Sequence, residues 1–294
     1  MRLELRTRLP NRRFTQLSRT HFAYAPVDFV VSGTSVNMAR HARSHFARVN
    51  VLAKVGDDAL TSVVEEELRA LGVHARLHVA KGMPNGFVVM VWDTPRVPRP
   101  RRAPDGVRLL IASDPSPGCS LGVADVRASY DLLRDADVVL CDGYSLLSPT
   151  SRAAVGEALS LARAAGVRTA FDLVPHDIDR RLPFSDVLPA IAAADLVIVE
   201  AATLARLFGL PPDTGVGEDL LVALDRKAPG RPLWLLRHGA GGMQNVLAYR
   251  RDGLRHAYTT GYVDAADKVG EGDRVATAEL YWWLSNGAGG LSGL

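Results

Sequence analysis

Asp273 closes a glycine turn, Asp267-Lys268-Val269-Gly270-Glu271-Gly272-Asp273, that runs straight into an apolar helical stretch at 275–284. The glycines on either side of Glu271 leave backbone N–H groups bare at a helix N-terminus, where they and the helix dipole favour an anion such as a phosphate. Asp273 lies in the first helical turn, placed either to cap the helix or to take a proton from a substrate hydroxyl beside a bound phosphate. A second polar stretch, Ser32-Gly33-Thr34-Ser35-Val36-Asn37, is a small-residue turn entering a helix with Asn37 in its first turn. A strand then ends in Gly56-Asp57-Asp58 before the next helix begins. Taken alone, Asn37 reads as a cap and Asp57-Asp58 as a turn.

Other spacings carry less chemistry. His41 and His45 stand four apart on a helical stretch, a metal-ligand spacing, but no third ligand accompanies them and they read as surface residues. His74 and His78 repeat the spacing on a strand, where such residues share a face but lie far apart. His176-Asp177-Ile178-Asp179 follows a strand at its carboxyl end and reads as a polar loop at the rim of a site. Ser145 and Ser148 lack a nucleophile-elbow context. Trp282 and Trp283 read as core or dimer contacts.

Such groups need a rigid frame, and the hydrophobic pattern supplies one. From residue 107 onward, short apolar runs at 108–112, 138–141, 168–173, 196–199, 233–236 and 246–249 predict strands. Between them, 123–134, 149–165, 187–193 and 203–208 place Leu, Ala and Val at helical spacing, and Gly166 ends the second of these helices. This alternation predicts a parallel sheet covered by helices, with ligands gathering beyond the carboxyl ends of the strands. Upstream, 49–55 and 87–92 predict strands and 73–79 a weaker one, with helices at 36–46 and 60–71. Some of these upstream strands are expected to leave the main sheet as a small flap, since Met83-Pro84-Asn85-Gly86 is a turn leading into an exposed alternating strand.

The composition suits that frame. Of 294 residues, 47% are hydrophobic and 23% charged, enough for a buried core and too apolar for disorder over most of the length. No apolar run reaches the roughly 20 residues of a spanning helix, so no membrane partner is expected. The opening Met1-Arg2-Leu3-Glu4-Leu5-Arg6 mixes charge with leucine and lacks a secretory apolar core. Two cysteines, Cys119 and Cys141, are too few for a disulfide framework or a cysteine zinc site, so the expected setting is the cytoplasm. The formal net charge of +3 is carried by arginine more than lysine. Its one dense cluster, Arg96, Arg99, Arg101 and Arg102, is interleaved with prolines that deny helix and central strand. With Trp92 as the only aromatic neighbour, it reads as a solvated loop and not as a nucleic-acid surface.

Taken together, the two polar stretches resemble the two signatures of the ribokinase-like family, the PfkB carbohydrate kinases. The N-terminal signature is a Gly-Gly turn, an Asn four residues on and a strand ending in Gly-x-Asp; Ser32-Gly33, Asn37 and Gly56-Asp57-Asp58 answer it. The C-terminal signature, Asp-Thr-x-Gly-Ala-Gly-Asp, is answered by residues 267–273. Weaker echoes at Asp142-Gly143-Tyr144, Phe171-Asp172, 196–209 and Gly239-Ala240-Gly241-Gly242 fall between them in the family's order. The resemblance runs from about residue 27 to 284 and implies a single domain over 1–294. Its fold would be a three-layer α/β sandwich, a mostly parallel sheet flanked by helices, with a small β lid from strands within about 73–94 and near the N-terminus.

The resemblance also implies phosphoryl transfer from ATP, with Mg2+, to a hydroxymethyl group of a sugar, sugar-like or nucleoside substrate. Carried over by position, Asp273 is the general base, and the amides of Gly270, Glu271 and Gly272 hold the migrating phosphoryl group. Gly33 and Asn37 touch the sugar with Asp57 nearby, and Gly239 lies in the nucleotide loop. Lid strands of this family often pair across subunits, which implies a homodimer with 87–92 as the apolar edge.

Departures from the signatures set further expectations. Glu271 replaces alanine; turned inward its carboxylate repels the phosphate, turned outward it is harmless. Arg274 replaces a small residue after the base, either to contact phosphate or to pair with Asp273 and depress its proton affinity. The family's Asn-x-x-Glu becomes Glu200-Ala201-Ala202-Thr203, leaving Glu200 to hold a metal-bound water. Thr-x-Gly becomes Arg237-His238-Gly239, with Arg237 standing in for the hydroxyl that meets the nucleotide. The family's opening strand brings an aspartate to the sugar; residues 1–26 offer no clear match, and Asp28 is the nearest substitute. A helix that usually lies beside the adenine has no counterpart after Trp282-Trp283. These losses support an alternative reading, a weak or inactive relative that binds a ligand or protein partner on the same scaffold.

Overall fold

The computed structural model describes residues 1–10, 24–94, 108–175, 177–228, 230, 232–239, 245–260 and 270–290. The arginine–proline loop, His176, 240–242 and the 267–269 part of the glycine turn lie outside the described residues. In chain order, strands β1 (Arg2–Pro10) and β2 (Val27–Ser32) precede helix α1 (Thr34–Ala42), strand β3 (Asn50–Val55), helix α2 (Leu60–Ala70) and strands β4 (His74–Val79), β5 (Phe87–Thr94) and β6 (Arg108–Ala112). Helices α3 (Val123–Arg127) and α4 (Tyr130–Arg134) lead to β7 (Val138–Asp142), α5 (Pro149–Ala164), β8 (Arg168–Leu173), α6 (Phe184–Ala192) and β9 (Leu196–Glu200). Then come α7 (Ala201–Leu207), α8 (Glu218–Lys227), β10 (Leu233–His238), β11 (Asn245–Arg250), β12 (Leu254–Thr259) and the long helix α9 (Glu271–Gly290).

The main sheet has six strands in the order β12-β11-β10-β9-β8-β7, parallel from β7 to β10 and antiparallel at β11 and β12. Helices cover both faces, as the near-continuous apolar runs of buried parallel strands require. On one face Phe171, Val197, Trp234 and Leu236 pack against Leu159, Ile191, Leu204 and Leu220 of α5 to α8. On the other, Ala170, Ile198, Leu235 and Ala248 pack under Met38 of α1 and Ala276, Leu280 and Trp283 of α9. Helix α5 shows how sequence fixes an element: Pro149 occupies the first turn, and Ala154, Val155, Ala158, Leu159 and Ala162 form its buried stripe. No helix among the described residues is long and apolar enough to cross a membrane.

The lid is a separate four-stranded sheet, β2-β1-β5-β6, with β1 parallel to β5 and antiparallel to β2. Its membership corrects several expectations. Strand 108–112, expected in the main sheet, is the lid's outer strand β6; strand 73–79, expected in the lid, is β4, paired in parallel with β3. Segment 87–92 is not an edge, because β5 runs between β1 and β6 and spends both hydrogen-bonding sides on them. The open edges belong to β2 and β6, where Phe29, Leu109, Leu110 and Ile111 are exposed. The β3–β4 pair is anchored to the main body by Leu52, packed against the cluster around Val139, and by Lys54, paired with Asp125 at 2.8 Å. The expected single helix at 123–134 is two, α3 and α4, split at Ser129. The Ser129 hydroxyl donates to the Asp125 carbonyl at 2.9 Å, a local side-chain bond that competes with the helical ladder.

Candidate active site

Residues two apart on a strand share a face. Leu140 and Asp142 of β7, Ala170 and Asp172 of β8, Ile198 and Glu200 of β9, and Leu235 and Arg237 of β10 therefore form rows on the α1–α9 face. Each row is apolar first and charged last. The parallel strands thus end in a charged layer at their carboxyl ends, the end where such sheets bind ligands. Helices α1 and α9 bring Asn37 and Asp273 together at this layer.

Asp273 is 8% exposed, and its Oδ2 accepts a hydrogen bond from Asn37 Nδ2 at 3.0 Å. The amide's orientation is fixed from its other side. Asn37 Oδ1 accepts from the Ser32 hydroxyl at 3.1 Å and from Arg40 Nη1 at 3.3 Å, and a guanidinium only donates. Arg6 donates to Ser32 Oγ at 3.3 Å and pairs with the buried Glu4 at 2.7 Å. Four elements, β1, β2, α1 and α9, thereby converge on one carboxylate. Burial pushes the Asp273 pKa up to about 6; the Asn37 amide opposes, Asp142 reinforces, Arg237 opposes and Glu4 reinforces.

Asp172 lies wholly buried, and burial pushes its pKa up to about 7, with Arg237 opposing and Asp273, Glu279 and Asp142 reinforcing. A carboxyl raised in the native state contributes stability that is fully present below its unfolded pKa and is lost as pH rises through its folded one. Asp172→Asn is therefore expected to gain at least about 2 kcal/mol relative to the parent between pH of about 4 and 7. Denaturant titrations of both proteins at stepped pH measure this.

Gly270 adopts φ +82°, a conformation suited to glycine, and a Cβ there would lie 3.3 Å from Asn37 Nδ2. The ladder of α9 opens with the Arg274 N–H donating to the Gly270 carbonyl at 3.0 Å, so the amides before it lie outside the ladder, at the helix's positive end. Arg274 Nε reaches the Glu271 carboxylate at 3.0 Å. That pairing, one helical turn apart, draws the Glu271 charge onto a cation. It also corrects the expectation that Arg274 pairs with Asp273 and depresses it: Asp273 is raised.

No family model and no curated protein matches the sequence. Solved structures do. The chain superposes on adenosine kinase from Sinorhizobium meliloti with a TM-score of 0.73 at 20% identity, over 97% of this chain and 85% of that one. The fold is ribokinase-like. Ribokinase from Giardia lamblia aligns with a TM-score of 0.72 at 14% identity, over 99% and 84% of the two chains. Fructokinase from Xylella fastidiosa, solved with bound ATP, aligns at 0.69 and 15% identity, over 99% and 83%. The ribokinase-like likeness is one of fold, carried by a strongly diverged sequence.

Within this ribokinase-like fold the expected residues divide. Asp273, Asn37 and the 270–272 turn come together, and Gly33 caps α1 beside them, its carbonyl accepting from the Val36 and Asn37 amides at 3.0 Å. Glu200 ends β9 level with Arg237, and Gly239 follows β10 at the same end of the sheet. Asp57 stays outside this cluster: it is exposed, and its Oδ2 accepts from the Gly82 amide at 3.2 Å. Asp28 is also apart, exposed on β2 opposite Arg6. The acid that faces the site from the lid is Glu4, whose signal was the strict alternation of Leu3, Leu5 and Leu9 with charged residues. Arg237 is a correction: it is 5% exposed and turned under α9, where it pairs with Glu279 at 2.5 Å, because its position on β10 faces that helix and not a nucleotide.

Proposed function

We propose that the protein is an ATP-dependent phosphotransferase acting on a hydroxymethyl group of a sugar, sugar-like or nucleoside substrate. The observation that carries this reading is Asp273 itself, a buried carboxylate poised near neutrality in the first turn of a long helix, beside a glycine turn. Phosphoryl transfer asks a protein for positioning and charge stabilisation more than for covalent chemistry. Asp273 accepts the proton of the acceptor hydroxyl as its oxygen attacks; a base with a pKa of about 6 is largely ionised at neutral pH and still basic enough to be effective. The amides at the head of α9 hold the charge that spreads over the migrating phosphoryl oxygens. Gly33 and Asn37 serve the acceptor side, and Gly239 and Arg274 the nucleotide side.

The residues present fit nucleotide phosphates: the turn ends in helix N-terminal amides, and the one carboxylate inside it, Glu271, is engaged by Arg274. Among the described residues, no group of three His, Cys, Asp or Glu side chains is arranged as a metal cage. Magnesium is held through one or two carboxylates with substrate phosphates and water. Glu200, at the end of β9, is the carboxylate assigned to one such water.

With Asp273 as the titrating base, kcat/KM rises through a pH of about 6 and then levels; a profile with no limb there removes Asp273 from that role. The reading as a whole is tested by calorimetry with Mg-ATP and by ATP turnover over a panel of sugars and nucleosides. Absence of both binding and turnover overturns it. One observation favours the second reading, a binding protein without turnover: the Asn37 amide lies on Asp273 and leaves it 8% exposed. In that case a ligand or partner complex survives Asp273→Asn and no ATP is consumed. Pairing of two copies through the open lid edges is proposed alongside, and sedimentation of a monomer alone ends it.

A further inference from the structure

The charged layer under the glycine turn contains one feature that the reaction does not itself require. Arg237 and Glu279 are both at least 95% buried, at 5% and 3% exposure, and are joined at 2.5 Å. Taking two ions out of water costs several kcal/mol apiece, and an apolar pair of similar volume is often as stable or more so. Net stability is therefore a poor reason for this pair. Its geometry supplies a better one. Arg237 Nη1 reaches the Gly272 carbonyl at 3.4 Å, inside the turn that precedes Asp273. Glu279 is gripped a second time by the Tyr258 hydroxyl, which donates at 2.9 Å. Arg237 Nε, also buried, has no acceptor among the described residues, so the fork is not arranged to satisfy every donor there. It is arranged toward the turn.

The groups around Asp273 are mostly acidic, and the buried Met1 ammonium lies beside one of them, Asp142. Facing it are Glu4 from β1, Asp142 from β7, Asp172 from β8, the Asn37 amide from α1 and the Tyr144 hydroxyl beyond β7. Arg237 from β10 is the cation among the largest influences on it. Resting on the phosphotransferase reading above, we propose that Arg237, clamped by Glu279 and Tyr258, is a positioning residue that holds the Gly272 carbonyl and keeps a fixed positive charge beneath Asp273. Neither partner touches substrate. They act through the turn and through the base.

The test compares the parent with Arg237→Met/Glu279→Met, which removes the ion pair without stranding either of its two charges, and with Glu279→Gln, which takes from the guanidinium the carboxylate bonded to it and leaves Asp172 near it. The primary readout is the protonation midpoint of Asp273 in the folded protein, followed by carboxyl carbon NMR without any substrate. The double variant is expected to fold and to move the midpoint up by about one pH unit; Glu279→Gln moves it down. Where turnover is measurable, the limb of the pH–rate profile moves in the same two directions, a response that a merely structural pair does not give. A midpoint unmoved in both variants overturns the proposal. Should the double variant not fold, the sign of the Glu279→Gln shift decides alone, and an upward or absent shift overturns the proposal. Midpoints that move as expected in a protein with no ATP turnover uphold the charge role and overturn the phosphotransferase reading instead.

Discussion

Asp273→Asn is expected to lower turnover by about 10²–10⁴-fold, the range for a positioned general base, while leaving the fold and nucleotide binding largely intact. The substitution keeps the shape of the side chain and an oxygen able to accept from Asn37 Nδ2, now at 3.0 Å. It removes the lone pair that takes the substrate proton. It also removes a charge that the site holds at a cost, since burial raises the Asp273 pKa to about 6. A group raised in the native state loses stabilisation as pH climbs through that value, so the asparagine variant is expected to be more stable than the parent above pH of about 6. Gain of stability with loss of rate is the mark of a functional group kept against its own packing interest. Steady-state kinetics, Mg-ATP calorimetry and denaturation at pH of about 8 are read on the same two proteins. A variant that turns over like the parent removes Asp273 from the chemistry. One that loses stability with its rate assigns Asp273 a structural part.

The frame of this site was legible in the sequence because its strands are buried on both faces. Runs such as Leu196-Val197-Ile198-Val199 and Leu233-Trp234-Leu235-Leu236 announce parallel strands, and both lie in the centre of the main sheet. The charged layer was legible too, by parity: Asp142, Asp172, Glu200 and Arg237 each fall two residues beyond an apolar residue on the α9 side. The same parity points Arg237 inward, against the nucleotide contact expected from the Thr-x-Gly resemblance. The three-residue spacing of Glu271 and Arg274 suits their pairing, against the expected contact of Arg274 with phosphate or Asp273. What the sequence hides is pairing between distant segments. Nothing local to Phe87–Thr94 says that its neighbours are Arg2–Pro10 and Arg108–Ala112, so a central strand passes for an edge. Glu279 is hidden in a different way: on a helix rich in apolar residues it reads as an exposed charge until Arg237, from another element, is seen beside it.

The attachment of the lid rests on a closer contact than any of these, and Gly56→Ala is expected to break it at a cost of more than about 3 kcal/mol. A Cβ at position 56 would stand 2.2 Å from the Asn85 nitrogen and 2.5 Å from the Pro84 carbonyl carbon. Those are backbone atoms, and no rotamer moves them aside. They are also tied down: Asp58 accepts from the Asn85 amide at 2.7 Å and from its Nδ2 at 2.7 Å, and Asn85 Oδ1 accepts from the Gly56 amide at 3.0 Å. Beyond Asn85, the Gly86 carbonyl accepts from Leu3 N–H at 2.8 Å, and the next residue along β1 is Glu4. A displaced 84–86 turn therefore disturbs the Glu4–Arg6–Ser32–Asn37 chain that ends on Asp273, and turnover falls together with stability. Asn85→Ala separates bonding from collision. It deletes the side-chain bonds without adding an atom, and a cost of about 1–3 kcal/mol is expected. Asp57→Ala is the control for both: its carboxylate is exposed, accepts from the Gly82 amide and lies apart from Asp273, so stability and KM for the acceptor both stay near the parent's. Chemical denaturation and acceptor-dependent kinetics on the three variants give that order. If Gly56→Ala proves no less stable than Asn85→Ala, the close approach of the two backbones is not what seats the lid, and the route from the lid to Asp273 must run through Gly33 and the opening residues of β1 instead.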